Sequence, residues 1–378
     1  MKKRYLGLLL VFCLAIIMTI SGCGLEKSVN QNSEPDSPEA EETTSENSTN
    51  KESSFKDVKA DYTLKLSLQD PATNNSEMIA ANIFKDYVEA QTNGKVQIQV
   101  YPGAQLGNER VVFEAIQGGD VDLGMITDGP MAGFVPEITV LSLPYIFKSH
   151  PIAWEVLDGP FGKELSDLIL DETGVRTVGI ASNGFRSFST NKKLIKTLED
   201  FNGMKIRVME NQLYLTMVNA LGAQAVPMAG GEELYSALQQ GVVDGQENPL
   251  DIIYQFKIHE VQDYITVDNH TFSSKWLVIN DEKLQSMPKE YQQIIAEAGI
   301  IWKTHLQGPK EAAALAAFSL LQDEVKEIYV LPNSEKERFR DACLPAVIEW
   351  LEEQTGEEWI EKIQNAVKDA EEKLYSEL

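Results

Sequence analysis

The alternation of apolar and polar positions predicts the secondary structure of the chain from residue 62 onward. Leucines alternate with polar residues over 62–68, which is typical of a β-strand. Apolar residues then recur every three or four positions over 78–88, as in a helix that ends before Gly94. The series continues with a strand at 95–101, a helix at 108–117 and a strand at 121–126. Strands that alternate with helices predict an α/β fold with a parallel or mixed sheet.

A second series of the same elements follows later in the chain. It is predicted as a strand at 204–208, a helix at 212–221, a strand at 224–228 and a helix at 232–240. Residues 115–122 of the first series align with residues 237–244 of the second, and both run from a helix end through a glycine turn into a strand. Glycine turns at helix ends are common, so chance similarity is the alternative. Together with the matching element order, the alignment favours two related α/β lobes.

The remaining segments are predicted to join these lobes. Short apolar strands are expected at 264–267 and 276–280, and residues 288–325 favour one long helix with a kink at Pro309. Two amphipathic helices, at 336–352 and 357–374, are expected to pack on the second lobe. The predicted boundaries are 57–182 and 274–308 for the first lobe, and 183–273 and 309–378 for the second. A ligand is expected in the cleft between lobes, at the carboxyl ends of the strands.

The N-terminal residues predict export from the cytoplasm. Three basic residues at 2–4 precede an apolar run over 6–20, the layout of a secretory signal and too short for a comfortable membrane span. The run ends in Ile20-Ser21-Gly22-Cys23, which resembles a bacterial lipobox. The prediction is therefore a signal peptide at 1–22 and a lipid on Cys23, with an ordinary cleavage site before a cysteine as the alternative. Residues 23–56 are predicted to form a disordered tether, because they are almost entirely polar.

Composition narrows the class of partner. The chain has 33 Lys and Arg against 58 Asp and Glu, a net charge of −25, which argues against a nucleic-acid partner. An anionic ligand would therefore need specific arginines rather than a general positive field. Among the cysteines, Cys13 leaves with the signal and Cys23 carries the lipid, so Cys343 is left without a partner for an intrachain disulfide.

Catalytic motifs are missing from the sequence. The four histidines, His150, His259, His270 and His305, do not show the spacing of paired zinc ligands. The phosphate-binding loop, the dinucleotide fingerprint and the nucleophile elbow are missing as well. The sequence therefore predicts a protein that is not an enzyme and uses no metal or cofactor. An enzyme on a similar scaffold is the rival class.

Three polar residues are candidates for binding a carboxylate. Arg207 ends a predicted buried strand, where a charge is costly unless it has a partner, and a guanidinium can hold a carboxylate with two parallel hydrogen bonds. An internal salt bridge is the alternative for Arg207, and a surface position is the alternative for Arg186. Asn248 precedes Pro249, which favours extended backbone, so its amide can point into a cleft, although it could be only a turn residue.

Several segments taken together resemble one family. They are Tyr101-Pro102-Gly103-Ala104-Gln105-Leu106-Gly107, Leu143-Pro144-Tyr145-Ile146-Phe147, Asn183-Gly184-Phe185-Arg186, Lys205-Ile206-Arg207-Val208, residues 233–241 and Val243-Asp244-Gly245-Gln246-Glu247-Asn248-Pro249. In this order they are similar to the solute receptors of the tripartite ATP-independent periplasmic (TRAP) transporters, the DctP family. The resemblance covers residues 61–370. It implies a two-lobed, periplasmic-binding-protein-like α/β fold with a long helix spanning both lobes, which closes on an organic acid.

The resemblance also implies roles for individual residues. Arg207 matches the family arginine that binds the ligand carboxylate, Asn248 matches an asparagine that contacts the same group, and Arg186 matches a second basic position that varies with the ligand. Gln69 and Thr127 occupy positions that line the pocket. The sequence departs from many relatives at Gly230-Gly231, where they carry a bulkier residue, and we expect the pocket to be wider there.

These expectations define a function. The protein is expected to be a lipoprotein on the outer face of the cytoplasmic membrane that delivers a small organic acid to the membrane subunits of a TRAP permease. The expected ligand is a sugar acid such as a uronate, an aldonate or a sialic acid. The alternatives are a four-carbon dicarboxylate ligand and a binding lobe that signals to a sensor kinase.

Overall fold

The computed structural model describes Phe55 and residues 57–376. The strands are β1 Tyr62–Leu68, β2 Val96–Tyr101, β3 Leu123–Thr127, β4 Val175–Thr190, β5 Lys205–Val208, β6 Gln224–Pro227, β7 Gly245–Asn248, β8 Tyr264–Asn280 and β9 Glu327–Val330. The helices are α1 Ser76–Gln91, α2 Glu109–Gly118, α3 Asp128–Met131, α4 His150–Asp158, α5 Pro160–Thr173, α6 Gln212–Ala220, α7 Glu232–Gln239, α8 Leu250–Gln255, α9 Asp281–Gln285, α10 Lys289–Glu324, α11 Asn333–Thr355 and α12 Glu357–Tyr375. The predicted α/β class is confirmed. The predicted signal peptide, lipid site and tether lie outside the described residues, apart from Phe55.

The predicted repeat is present in the sheet. In the first repeat, β1 lies between β2 and β3, and all three strands are parallel. In the second repeat, β5 lies between β6 and β7 with the same directions. The same contact also recurs: Asp122 accepts a hydrogen bond from the backbone N–H of Lys65 at 2.7 Å, and Asp244 accepts one from the N–H of Lys205 at 2.9 Å. The two aligned segments therefore have the same structural role.

Two long antiparallel strands join the repeats, and the sequence prediction was wrong about both. The strands expected at 264–267 and 276–280 are one strand of 17 residues, β8, and no strand was expected where the 16-residue β4 lies. β4 pairs with β8 along most of its length, with irregularities between Thr177 and Gly179 and at two later points. Because each bulge shifts which side chains face the core, the two-residue alternation that identifies a strand is lost.

The long helix α10 contacts the cores of both repeats, as predicted. Its first half, through Trp302 and Leu306, packs in one apolar cluster with β1, β2 and α1. Its second half, through Ala317 and Leu321, packs in another cluster with α7 and α8. The helix is continuous through Pro309 over 36 residues. One continuous helix therefore connects the two repeats.

The C-terminal helices differ in their main packing partners, although both also contact the 3-10 helix Pro136–Ser142. α11 packs on α6, close to the second repeat, as expected. α12 packs instead on α4 and α5, which belong to the predicted first lobe; Trp359 meets Phe161 edge to face there with a 6.0 Å centroid distance. The predicted lobe boundaries stay predictions. Within the described part of the chain, no helix is both long and apolar enough to cross a membrane.

Candidate ligand-binding cleft

A cleft of about 660 Å³, a volume that includes its open mouth, lies where β1, β3, β5 and β7 end. All five predicted site residues line it: Gln69, Thr127, Arg186, Arg207 and Asn248. The carboxyl ends of parallel strands meet at one edge of a sheet, so the two repeats each contribute one wall. Binding of a ligand by these five residues stays a prediction, but the structure brings them together.

Arg207 is a buried cation that forms no ion pair with a carboxylate of the described residues. It lies on β5 and is 2% exposed. Its Nε donates to the backbone carbonyl of Met228 at 2.9 Å, and no carboxylate in the described region forms an ion pair with it. Burial lowers the pKa of Arg207 to about 10, and Glu247 opposes this only in part. The internal salt bridge considered as the alternative is therefore not formed, and the guanidinium borders the cleft unpaired.

Arg186, in contrast, has a buried carboxylate partner. Its Nε pairs with Glu247 Oε2, and its Nη2 donates to Glu247 Oε1 at 2.9 Å and to Asn248 Oδ1 at 2.9 Å. Both charged side chains are at most 1% exposed, so the surface position considered for Arg186 is wrong. Burial alone would raise the pKa of Glu247, but Arg186 and His270 hold it below its usual range. The pair is neutral overall, and Arg186 positions the amide of Asn248.

The Asn248 side chain is oriented from both ends. Its Oδ1 accepts from Arg186, and its Nδ2 donates to Gln246 Oε1 at 2.5 Å. Gln246 in turn donates to the Ser189 hydroxyl at 2.8 Å. The residue is 8% exposed and lines the cleft. A fixed amide that lines the same cleft as Arg207 is suited to accompany it in binding a carboxylate.

A buried network missed by the sequence reasoning continues behind Glu247. His270 Nε2 lies 3.4 Å from Glu247 Oε2, and its Nδ1 lies 3.0 Å from Asp268 Oδ1. The Tyr145 hydroxyl donates to Asp268 at 3.2 Å. Although burial acts to lower it, Asp268 and Glu247 raise the pKa of His270 to about 9. The sequence shows His270 only as one of four histidines without the spacing of metal ligands, because Glu247 lies on β7 and nothing local marks Asp268, two residues earlier on β8, as a buried partner.

The opposite wall carries a second group of charges that the sequence reasoning also missed. Thr127 donates its hydroxyl to Glu109 Oε2 at 2.5 Å and its N–H to Oε1 at 3.1 Å. Lys275 Nζ lies 3.2 Å from Asp70 Oδ2 and 3.5 Å from Glu109 Oε1. With two carboxylates and one ammonium group, this cluster has an excess of negative charge. The sequence feature that could have revealed this cluster is the single lysine in the run Ser273-Ser274-Lys275-Trp276 of a buried strand.

The two walls meet at Gln69. A Cβ atom added at Gly230 would lie 2.6 Å from Gln69 Nε2 and 3.6 Å from Arg207 Nη2. The space left by the missing side chain at Gly230 is therefore filled by Gln69 from the first repeat, rather than widening the pocket at that point. On the same side, Asn211 Nδ2 donates to the carbonyl of Gly129 at 3.4 Å. The walls thus contact each other across the cleft.

Comparison with known proteins identifies relatives of the whole fold. The family model of the bacterial extracellular solute-binding proteins, family 7 (DctP), matches residues 69–354. A solute-binding protein of Verminephrobacter eiseniae is 33% identical over 303 residues, which are 78% of this chain and 87% of that protein.

Solved structures agree. The sugar acid binding protein of Advenella mimigardefordensis, in complex with galactonate, has a TM-score of 0.78 at 28% identity and covers 82% of this chain and 98% of its own. A TRAP periplasmic solute-binding protein of Sulfurospirillum deleyianum, with bound succinate, has a TM-score of 0.76 at 28% identity and covers 82% of this chain and 100% of its own. The predicted two-lobed fold is confirmed by this similarity.

Proposed function

Since the chain belongs to the DctP family, family 7 of the bacterial extracellular solute-binding proteins, we propose that it is a TRAP-transporter receptor for a sugar acid. The family consists of solute-binding receptors and not of enzymes. The observation that carries the proposal is the buried, unpaired guanidinium of Arg207 on the wall of the cleft.

Arg207 supports a ligand with a carboxylate. A buried charge without a partner destabilises the unliganded protein, and a carboxylate that forms two parallel hydrogen bonds with the guanidinium would relieve this. Arg186 is the weaker candidate for the same group, because Glu247 already neutralises its charge. The Asn248 amide, held by Arg186 and Gln246, supplies a neutral polar contact beside the pair.

The opposite wall supports one carboxylate rather than two. Glu109 and Asp70 have spare acceptor capacity for hydroxyl groups, which a sugar acid carries along its chain or ring. A second carboxylate would face this negative wall, where Lys275 is already shared between two acids and Arg110, the other cation that lines it, is partly exposed and lies 3.6 Å from Glu114. This favours an aldonate, a uronate or a sialic acid over a four-carbon dicarboxylate. Relatives have been solved with either class, galactonate in one and succinate in another.

The same proposal has three further parts. The protein delivers its ligand to a permease, it is attached through lipid on Cys23, and it lies on the outer face of the cytoplasmic membrane. Family members are periplasmic, which supports an extracytoplasmic site of action. The lobe boundaries at 182/183, 273/274 and 308/309 belong to it as well, since rotation between lobes would open the cleft. Signalling to a sensor kinase would need the same cleft, so uptake of radiolabelled ligand by cells with and without the gene separates the two roles.

The direct test is a thermal-shift screen of the purified full-length protein, followed by calorimetric titration. A ligand that binds only the folded state raises its melting temperature. We expect galactonate or glucuronate to stabilise the protein, galactitol to have no effect because it lacks the carboxylate, and succinate to act more weakly. Stabilisation by succinate alone would favour the dicarboxylate alternative. No response to any carboxylate would refute the proposal.

A further inference from the structure

A buried ion cluster lies where α10 passes from one repeat to the other. Pro309 removes one backbone hydrogen bond from the continuous helix there, because it has no N–H to donate to the carbonyl one turn earlier. The next residue, Lys310, is 1% exposed. It pairs with Glu77 and, at 2.6 Å, with Asp251 Oδ2. We call Lys310, Glu77 and Asp251 the Lys310 cluster.

The two acids of the Lys310 cluster come from different parts of the fold. Glu77 lies in the first turn of α1, which packs in the core of the first repeat. Asp251 lies in the first turn of α8, whose Leu250 and Ile253 pack in the core of the second repeat. α8 begins directly after Asn248 and Pro249 on the cleft wall. One lysine therefore connects both repeats at the point where the bracing helix is weakest.

The charges of the cluster do not balance locally. Two carboxylates share one ammonium group, and Glu77 Oε2 and Asp251 Oδ1 are buried without a hydrogen-bond partner. Burial raises the pKa of Glu77, which Lys310 opposes, while Asp70 and Asp251 add to the rise. Without the lysine, two acids would face each other in a buried site, a strongly unfavourable arrangement. The attraction of Lys310 for both is what holds this arrangement together.

We propose that Lys310 is a positioning residue for ligand binding, which favours the arrangement in which the two walls enclose the cleft. If the repeats rotate apart about Pro309, where α10 lacks one backbone hydrogen bond, Lys310 has to follow one of them. If Lys310 moves with the first repeat, its ion pair with Asp251 has to lengthen. If it moves with the second repeat, its ion pair with Glu77 has to lengthen. The cluster thus adds to the stability of the enclosed arrangement and, through it, to ligand affinity.

The test uses the single acid variants Glu77→Gln and Asp251→Asn in the full-length protein. Each leaves Lys310 with one carboxylate, so each buried charge keeps a partner. Spin labels are attached through non-natural amino acids at the exposed, repeat-equivalent positions Gln117 and Gln239, so that the native cysteines stay. We expect at least one variant to show longer distances between labels without ligand and at least fivefold weaker binding of galactonate.

Lys303→Met is the matched control, because Lys303 lies on the same helix and pairs with Asp158 at the protein surface. It should leave distances and affinity unchanged. Lys310→Met should have a larger effect than either acid variant where it folds; if it does not fold, the acid variants decide. Unchanged distances and affinity in both acid variants overturn the proposal. The distance measurement needs no ligand, so failure of galactonate to bind would count against the proposed function and not against this inference.

Discussion

The two repeats have the same strand order but place their polar groups differently. When Asp122 is aligned with Asp244, Ser67 of the first repeat and Arg207 of the second occupy equivalent positions. This follows because β1 pairs with β3 in the same register as β5 pairs with β7. By the same register, Met125 and Ile126 of β3 correspond to Glu247 and Asn248 of β7. All of these positions are buried. The same arrangement of strands therefore contains an apolar strand, β3, in the first repeat and a polar, charged strand, β7, in the second.

The difference shows how the cleft acquires its chemistry. In the first repeat the polar groups follow the strands, at Gln69, Asp70 and Thr127, or begin a helix, at Glu109. In the second repeat they lie inside the strands, where each needs a partner. Glu247 has Arg186, while Arg207 has no carboxylate within the described chain. The second repeat is thus stabilised by paired charges and left with one site for an external anion.

The comparison predicts its largest effect at Glu247. Glu247→Gln keeps the shape of the side chain but leaves the buried charge of Arg186 unpaired, which should lower the free energy of unfolding by about 3–5 kcal/mol. Urea denaturation of the unliganded protein measures this. Met125→Leu at the equivalent position of the first repeat should cost less than about 1.5 kcal/mol. Arg186→Met combined with Glu247→Gln removes both charges and should recover much of the loss. Equal effects at Glu247 and Met125 would contradict the comparison.

The next largest effect is on ligand affinity at Arg207. Truncation to Ala should cost about 2–5 kcal/mol of binding free energy, because the ligand carboxylate would be left buried and unpaired. This is roughly a thirtyfold to several-thousandfold loss of affinity. Arg207→Lys keeps the charge without the two-pronged geometry and should also bind clearly worse. Calorimetric titration with galactonate measures all three proteins.

The unliganded stability of the same variants separates ligand binding from a structural role. Arg207 forms no ion pair in the unliganded protein. Arg207→Ala should therefore lower the melting temperature only by the amount that the lost packing contacts of the side chain account for. Ser67→Ala, at the equivalent position of the first repeat, should change neither property. Near-equal affinities of wild type, Arg207→Lys and Arg207→Ala would remove Arg207 from the site.

A smaller effect is expected at Glu109 on the opposite wall. Glu109→Gln removes a charged acceptor for ligand hydroxyls, which should weaken galactonate binding by about 1.5–3 kcal/mol. The variant also reduces the negative charge that a second carboxylate would meet, so the affinity for succinate should fall less or rise. Titration with both ligands gives the ratio. An unchanged ratio would show that this wall does not select between the two classes.

Sequence reasoning was most accurate where the pattern is local. The elements of both repeats follow from apolar periodicity and glycine turns. Arg207 stands out because it ends a predicted buried strand, and Asn248 because it precedes Pro249. β4 was missed, and β8 was predicted only at its two ends, because register irregularities and buried polar residues remove the alternation between them. Arg186 was misjudged because its partner, Glu247, is 61 residues away in the sequence. A buried charge cannot be recognised without knowing its counter-charge, and this explains the omission of Lys275 and His270 as well.

The last prediction uses pH to compare two buried groups: His270, which lies close to Glu247 of the second repeat, and Asp128, which follows β3 of the first. Burial acts to lower the pKa of His270, but Asp268 and Glu247 raise it from 6.5 to about 9. A folded pKa above the unfolded one contributes stability that is complete below the unfolded value and is lost as the pH rises through the folded value. The wild type should therefore lose stability, on the order of 1–3 kcal/mol, between about pH 6.5 and 9.

His270→Gln should have a flatter profile in this window, measured by urea denaturation at several pH values. Asp128, which follows β3 of the first repeat, is the contrast. Burial raises its pKa from 3.8 to about 6, against the hydrogen bonds from Ser273 and Ser142. Since this folded pKa is also above the unfolded one, the contribution of Asp128 to the free energy of unfolding should be lost as the pH rises from about 4 to 6. Asp128→Asn should therefore change the stability profile only in that lower window. A wild-type profile that stays level from pH 6.5 to 9 would mean that His270 is neutral in the fold, and that Glu247 depends on Arg186 alone.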